Sequence, residues 1–252
     1  MADNDTKKIF GFTVAMTSIV AIVLGLLFFG LSGIHAENEA VFNKRAILAA
    51  VGNYLPKPVG QMDDGEVQEL FNTQIESFVI NPDGEIVQER DASSIDLAAE
   101  KKKPESERFY PLYKYNDGQE DFFILSIRGN GLWDEIWGNV ALKSDLATIA
   151  GASFDHKGET PGLGAEIKDN PKFAEQFQDK RIYDYNGQYT SVIVRKGGAR
   201  DPVYEVDGIS GATVTANGVS EMLNRGIGYY RPYLEKLQAE LPAENAVGLL
   251  LN

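Results

Sequence analysis

The chain has 252 residues, a formal net charge of −13 at pH 7, 43% hydrophobic residues and no cysteine. The length suffices for one membrane segment and one folded domain. The excess of acidic residues argues against a nucleic-acid partner, because phosphate backbones are bound by clustered lysine and arginine. The lack of cysteine excludes disulfides, thiolate zinc sites and cysteine-ligated iron–sulfur clusters. Since there are also only two histidines, a redox role favours an organic cofactor.

The first predicted element is an apolar helix over residues 9–34, all of which are uncharged. About 20 helical residues suffice to cross the hydrocarbon core of a bilayer. The apolar region of a signal peptide is shorter, about 7–15 residues, so we favour an uncleaved anchor over a signal peptide that ends near Ala36. The sequence therefore predicts a single-pass protein that is held in membrane lipid by one helix.

The charges that flank this helix predict its orientation. Lys7 and Lys8 precede the apolar segment, whereas Glu37 and Glu39 follow it. Positive charges favour the cytoplasmic side of a membrane. We therefore expect a cytoplasmic N-terminus (1–8), a transmembrane helix (9–34), a linker helix into the soluble part (35–60) and an extracytoplasmic domain (61–252).

Helical and strand patterns alternate irregularly after the membrane helix. Helices are predicted at 37–54, 66–75 and 171–177, and strands at 77–80, 85–88, 109–115, 121–127, 136–142, 146–150 and 189–195. Residues 94–106 are charged and are predicted to form a loop. Because no regular βαβ rhythm is present, the predicted fold class is α+β, with a mixed or antiparallel sheet and flanking helices behind the single N-terminal transmembrane helix.

A last amphipathic helix is predicted from Gly218 to about Leu237. Pro232 lies inside this run and should kink or split the helix, because proline lacks the N–H group that the helix needs. The apolar segment 247–251 near the C-terminus is too short to span a membrane.

A small, polar, glycine-rich segment from Asp207 to Gly218 precedes this helix, whose start is predicted near Asn217. Helix N-termini attract anions, because their first N–H groups are unpaired and the helix dipole is positive there. Three hydroxyl groups, on Ser210, Thr213 and Thr215, are available in the segment. The residues alone therefore predict a phosphate-binding loop with three candidate hydroxyls.

Two further glycine-rich stretches come before this loop, at 129–133 and 156–166. Neither stretch matches the Rossmann or P-loop pattern. Taken together, Gly-Leu-Trp at 131–133, Glu-Thr-Pro-Gly-Leu-Gly at 159–164 and Asp-Gly-Ile-Ser-Gly-Ala-Thr at 207–213 resemble the FMN-binding domain family with covalently attached flavin. The resemblance extends over nearly the whole chain and includes the single N-terminal membrane helix.

This resemblance implies a role for each matching residue. Thr213 would carry FMN through a phosphoester to its hydroxyl. A flavin transferase would read the surrounding signal, which is formed by Asp207, Ser210, Gly211 and Ala212. The isoalloxazine ring would be lined by Leu132, Trp133, Thr160, Gly162, Leu163 and Gly164. Thr215 and Asn217 complete the candidate cofactor-binding residues, and neither a metal site nor a catalytic residue is expected.

The resemblance also implies a function. The chain would be a subunit of a bacterial inner-membrane complex that couples NADH oxidation and quinone reduction to sodium export, with the other subunits as partners. Its flavin would relay electrons, and its domain would be periplasmic. Three alternatives remain: the homologous FMN-carrying subunit of the Rnf ferredoxin:NAD oxidoreductase complex, a periplasmic module that binds a phosphate ligand noncovalently, and a structural anchor without a cofactor.

Several residues near these motifs have competing interpretations. Trp133 is equally compatible with a ring contact and with a core position, and Trp137 is assigned to the core. His156 is interpreted as a surface or supporting residue rather than a ligand. Glu159 and Glu166 are interpreted as structural, with an influence on the flavin potential. The acidic Asp207 is explained either by recognition by the transferase or by capping of loop N–H groups.

Overall fold

The computed structural model describes residues 2–240 and divides the chain into two compact units, Met1–Phe42 and Asn43–Asn252. Helix α1, Ala2–Ala49, is continuous, so the predicted membrane segment and most of the predicted helix at 37–54 form one element. It is long and apolar enough to cross a membrane, and none of its most apolar stretch is buried by protein. Exposed apolar side chains are expected where lipid replaces water as the solvent.

The second unit is built on a five-stranded antiparallel sheet. Its strands are β1 Ile75–Ile80, β2 Tyr110–Asn116, β3 Asp121–Asn130, β4 Glu135–Leu142 and β5 Ile149–His156. They pair in the order β1-β2-β3-β4-β5, so every strand lies beside its neighbour in sequence. A separate two-stranded parallel ladder joins β6 Ile193–Arg195 and β7 Glu205–Asp207. The predicted antiparallel or mixed sheet with flanking helices is therefore confirmed.

Short helices and 3-10 turns lie before and between these strands. They are α2 Asp64–Gln74, α3 Leu97–Glu100, α4 Glu166–Asp169 and α5 Pro171–Glu175, with 3-10 turns at Gly52–Tyr54, Val59–Gln61, Ala92–Ser94 and Glu105–Glu107. The loop predicted at 94–106 was wrong in part, because Asp96 accepts the N–H group of Ala98 and caps α3. A capped single turn of this kind is too short to give a periodic sequence signal.

Three predicted strands differ from the structure. The strand predicted at 85–88 is reduced to a bridge between Ile86 and Ile80 at the outer edge of β1. The strand predicted at 146–150 begins only at Ile149, because Leu146 adopts a positive φ of 57° in the preceding turn. The strand predicted at 189–195 is shortened to Ile193–Arg195, since Ser191 also has a positive φ, of 58°. Positive φ interrupts an extended strand, and hydrophobicity does not reveal it.

The C-terminal helical region covers one face of the sheet. Helix α6 runs from Thr213 to Gly228, and α7 from Arg231 to Glu240. The predicted split is confirmed, since Pro232 lies in the first turn of α7, where a missing N–H group is tolerated. The apolar segment 247–251 lies outside the described residues.

Helix α6 approaches β3 closely because each element presents a glycine to the other. A Cβ atom at Gly129 would lie 2.6 Å from the Cβ atom of Met222, and one at Gly226 would lie 2.7 Å from that of Ile127. The hydroxyl of the fully buried Tyr230, just beyond α6, lies 2.7 Å from the Ser126 carbonyl oxygen. These contacts fix the distance between α6 and β3 and the position of α6 along the strand. They therefore also fix where the N-terminus of α6 lies.

The other face of the sheet is also buried. Phe122 and Ile124 of β3 are fully buried there, and Phe122 packs on Tyr54 with ring centroids 4.2 Å apart. The hydroxyl of Ser153 donates a hydrogen bond of 2.7 Å to the carbonyl oxygen of Ala46. Both faces of β3 are thus covered, which explains its continuous apolar run in the sequence.

A single glycine sets the contact between the first turns of α6 and the end of β3. A Cβ atom at Gly218 would overlap the Asn130 carbonyl group, lying 3.2 Å from its carbon atom. We expect Gly218→Ala to lower the free energy of unfolding by ~1–3 kcal/mol through overpacking. This cost exceeds the helix-propensity gain of about 1 kcal/mol that alanine brings. Thermal or chemical unfolding of the full-length protein in detergent measures the difference.

Gly228→Ala is the matched control for this prediction, because it lies in the same helix and a Cβ atom there would make only an ordinary contact, 3.8 Å from the Tyr189 ring. We expect this variant to be as stable as the wild type or slightly more stable. Equal stabilities of Gly218→Ala and Gly228→Ala would contradict the assigned role of Gly218.

Candidate functional site

The glycine-rich loop connects the end of β7 directly to α6. The helix begins at Thr213, so the start predicted near Asn217 was wrong by one helical turn, and Asn217 is an exposed residue of the second turn. The β-branched residues at 213–215 are weak helix formers, so helix propensity did not indicate the first turn. The N-cap residue Ala212 makes no side-chain cap hydrogen bond. The N–H groups of the first turn therefore lack the usual side-chain acceptor and are available to an anion.

The three candidate hydroxyl groups differ in exposure. Ser210 is exposed in the loop, Thr213 is half-buried at the first helical position, and Thr215 is completely buried. The Thr215 hydroxyl donates to the Glu159 carboxylate at 2.8 Å and lies 3.1 Å from the Leu163 carbonyl oxygen. Because Thr215 is inaccessible and already bonded, it has a structural role, and Ser210 and Thr213 remain as accessible hydroxyls.

Glu159 connects all three glycine-rich stretches. It is only 6% exposed, and its Oε1 atom accepts the N–H group of Trp133 at 2.9 Å. Its Oε2 atom accepts the hydroxyl of Thr215 in α6. Burial raises the pKa of this carboxyl, but the hydrogen bonds from Trp133, Thr215, Asp134 and Leu132 outweigh burial and hold the pKa below its ordinary value. Glu159 is therefore an ionised carboxylate at the junction of the three stretches.

A second glutamate orders the loop at 160–166. The Glu166 carboxylate accepts the N–H groups of Gly162 and Gly164 at 2.5 and 3.2 Å. The bond from the Gly162 N–H group is the largest cause that lowers the pKa of Glu166. Gly162 and Gly164 have positive φ values of 80° and 148°, so they require glycine. The loop shape thus follows from glycine conformations and one carboxylate.

The 160–166 loop also touches the loop before α6. Gly211 has a positive φ of 83°, and a Cβ atom there would lie 2.7 Å from the carbonyl oxygen of Gly162. A Cβ atom at Gly164 would lie 2.9 Å from the Cβ atom of Thr215. Gly162 and Gly164 are therefore in close contact with Gly211 and Thr215, which flank the candidate residue Thr213.

Asp207 is turned towards a different loop. Its carboxylate accepts the N–H group of Ala199 at 2.7 Å, and its own N–H group donates to the Gln176 side chain at 2.7 Å. It does cap a loop N–H group, but that group belongs to the preceding loop at 196–200 and not to residues 208–213. This contact gives the acidic side chain a partner other than the helix N-terminus.

Apolar side chains are exposed around the converging loops. The exposed fractions are 38% for Leu132, 65% for Trp133, 39% for Leu163 and 53% for Val214. Trp133 is therefore not a core residue. Trp137 is half-buried, and the Arg128 guanidinium lies 4.9 Å from its ring centroid. The prediction that Trp137 is a core residue was therefore wrong in part. Exposed apolar groups beside an uncapped helix N-terminus fit a ligand that has an aromatic ring and a phosphate.

Sequence reasoning missed two features of this site. Val214 directly follows Thr213 and lies outside the buried face of α6, a departure from the helical pattern that could have marked it. The bridging role of Glu159 had no sequence signal, because Thr215 is 56 positions away. His156 accepts the Glu159 N–H group on its Nδ1 atom at 3.1 Å, in agreement with its interpretation as a supporting residue.

The described part of the chain, residues 2–240, contains no group of three or more histidine, cysteine, aspartate or glutamate side chains that could hold a metal ion. The chemistry of the site therefore has to be judged from its anion-binding and apolar groups. The helix N-terminus, the glycine backbone and the exposed apolar residues together match what a flavin mononucleotide would need.

Comparison with known proteins agrees with this geometry. The family model of the FMN-binding domain matches residues 131–228. This range includes the motifs at 131–133, 159–164 and 207–213. The chain is 35% identical over 216 residues to the NqrC subunit of the Na(+)-translocating NADH-quinone reductase of Pseudomonas aeruginosa, covering 77% of this chain and 80% of the relative. It is 31% identical over 257 residues to that of Vibrio anguillarum, covering 94% and 97%.

A solved structure supports the same relationship. The crystal structure of the NqrC subunit from Parabacteroides distasonis matches with a TM-score of 0.71 and 35% identity, over 81% of this chain and 96% of that chain. Sequence identity, coverage and fold agree. The chain belongs to the NqrC family, whose members are subunits of the Na(+)-translocating NADH-quinone reductases.

Proposed function

We propose that this protein is the flavin-carrying subunit of a sodium-translocating NADH:quinone oxidoreductase, with FMN joined by a phosphoester to the Thr213 hydroxyl. Family membership supports the complex, and the matched FMN-binding domain supports the cofactor. Bound flavin would supply an acceptor and donor of one or two electrons, which suits a relay between unlike redox centres. The remaining subunits of the complex are then its partners.

The position of Thr213 is the observation that supports the attachment site. It is the first residue of α6, and it is half-buried, whereas Thr215 is sealed inside the protein. A phosphodiester on this hydroxyl would lie at the positive end of the helix, where an anion gains about 0.3–1 kcal/mol, up to ~2 kcal/mol in favourable geometry. Thr213 is therefore preferred over Ser210, which precedes the helix.

The attachment reaction is a simple exchange at phosphorus. The oxygen–hydrogen bond of Thr213 and the phosphoanhydride bond of a flavin nucleotide held by a flavin transferase would break, and a bond would form between the Thr213 Oγ1 atom and the flavin-side phosphorus. The hydroxyl proton and the leaving group of that nucleotide depart. Exposure of the flanking residues Ser210, Gly211 and Val214 leaves room for the transferase.

The exposed apolar residues would receive the flavin ring. Leu132, Trp133 and Leu163 come from two loops that are held against the start of α6 by Glu159 and Gly211. Burial of each such side chain beneath an aromatic ring removes apolar surface from water, at about 25 cal/mol per Å². These residues would orient the ring, and the covalent bond would keep it on the protein.

Thr213→Val tests the attachment site. Coexpressed with a competent transferase, the wild-type protein should give a fluorescent band on a denaturing gel, and the variant a dark one, because valine has no hydroxyl. Thr73→Val is the matched control, since Thr73 is an exposed residue of α2, and it should stay fluorescent.

A bright Thr213→Val band would move the attachment to Ser210, the other accessible hydroxyl of the loop. A wild-type protein that holds flavin when native and loses it on denaturation would instead indicate noncovalent binding. A wild-type protein that holds no flavin under either condition would leave the structural anchor as the better explanation.

The family and the apolar helix support a single-pass protein of the bacterial inner membrane. We propose further that the N-terminus is cytoplasmic and that the domain following α1 is periplasmic, on the grounds that Lys7 and Lys8 precede the helix. This orientation would place the flavin in a compartment without a supply of free flavin, where a covalent bond is useful.

A reporter enzyme that is active only outside the cytoplasm tests the orientation. Fused after Asn252, it should be active, and fused before Met1 it should be inactive, because the two ends lie on opposite sides of the membrane. Activity measured in whole cells and normalised to protein amount decides between the orientations. The opposite pattern of activity would reverse the proposed topology.

A further inference from the structure

We propose that Glu159 is a positioning residue that assembles the flavin site before flavin arrives and, as a fixed negative charge beneath it, lowers the reduction potential of the bound flavin. Only the effect on the reduction potential rests on the proposed function. The assembly of the site concerns contacts within the protein chain itself.

The assembly role follows from how the two carboxylate oxygens are used. One oxygen accepts the Trp133 N–H group, in the connection between β3 and β4. The other accepts the Thr215 hydroxyl in the first turn of α6. Glu159 itself follows β5, where its N–H group is bonded to His156. A single buried side chain thus joins segments that are separate in sequence and that carry the apolar residues and the acceptor hydroxyl.

The charge role follows from the glycines that cover this carboxylate. A Cβ atom at Gly131 would lie 2.8 Å from the Cδ atom of Glu159, and one at Gly164 would lie 2.7 Å from its Oε2 atom. These glycines directly adjoin Leu132 and Leu163, two of the exposed apolar residues. The carboxylate therefore packs directly against the backbone of residues that adjoin the surface proposed to receive the ring.

The hydrogen bonds to Glu159 stabilise its negative charge without neutralising it. Its donors are neutral N–H and O–H groups of Trp133 and Thr215. Flavin reduction adds negative charge, and a nearby fixed anion in a partly desolvated site opposes that addition. The reduction potential of the flavin should accordingly be lower with Glu159 than with a neutral residue of the same shape.

Glu159→Gln in the full-length, flavin-loaded protein is the central experiment. We expect the midpoint potential of the flavin, followed by its absorbance during a redox titration, to shift to a more positive value. We also expect hydrogen–deuterium exchange at the Trp133 amide to become about tenfold faster, because a bond to a charged acceptor is replaced by a weaker one. The second measurement is repeated in the flavin-free Thr213→Val background, where the same change is expected.

Glu100→Gln is the matched control. Glu100 is also a buried carboxylate, 5% exposed, and it also accepts one backbone N–H group, from Phe109, and one side-chain donor, from Lys103. It lies in α3, and its carboxylate is bonded to Phe109 and Lys103 rather than to Trp133 or Thr215. This variant should leave the flavin potential and the exchange at Trp133 at their wild-type values.

An unchanged potential or an unchanged exchange rate at Trp133 in Glu159→Gln would overturn the proposal while leaving the proposed function intact. Absence of flavin from the wild-type protein would overturn the proposed function and the charge role, whereas exchange in the flavin-free background would still decide the assembly role.

Should Glu159→Gln fail to fold, the variants Thr215→Val and Thr215→Ser replace it. Faster exchange at Trp133 is expected only in Thr215→Val, which lacks the hydroxyl donor, and equal rates in the two variants would overturn the proposal.

Discussion

The buried Glu159 carboxylate is the interaction on which the candidate site depends. An ionised group inside a protein is costly unless its lone pairs are satisfied, and here backbone N–H groups and the Thr215 hydroxyl supply the donors. The same bonds are what hold the loops together. Desolvation and loop assembly are therefore coupled, because moving either of these segments away would leave one carboxylate oxygen without its donor. The site gains a defined geometry from a group that does not itself reach the surface.

Glycine has two distinct tasks around this carboxylate. At Gly162, Gly164 and Gly211 the backbone adopts positive φ values, which other residues reach only with strain. At Gly131 and Gly218 the φ value is ordinary, and the requirement is instead for close approach, to Glu159 and to the Asn130 carbonyl group respectively. Both tasks serve one result, in which loops from the sheet and the start of α6 lie near enough to share a single ligand.

Much of this arrangement follows from the sequence, and the parts that do not have identifiable physical causes. The strands β2, β3 and β4 are evident because their side chains are apolar on both faces, and the split before α7 is evident from Pro232. The motifs could be located but not connected, since hydrogen bonds between distant positions leave no periodic pattern. The start of α6 was misplaced because its first turn is rich in poor helix formers, and the turns at Leu146 and Ser191 depend on backbone angles that apolar composition conceals.

The pairing of each strand with its sequence neighbour has a consequence for how the molecule forms. Contacts between neighbours along the chain close short loops, so a five-stranded meander can be built from local steps. The bond between Glu159 and Thr215 closes a loop of 56 positions and requires α6, which is made after every strand of the sheet. The candidate site is thus complete only when the helix lies on the sheet. If FMN is attached at Thr213 as proposed, an unfolded chain would not present that hydroxyl in this setting, and folding itself would act as the checkpoint for attachment.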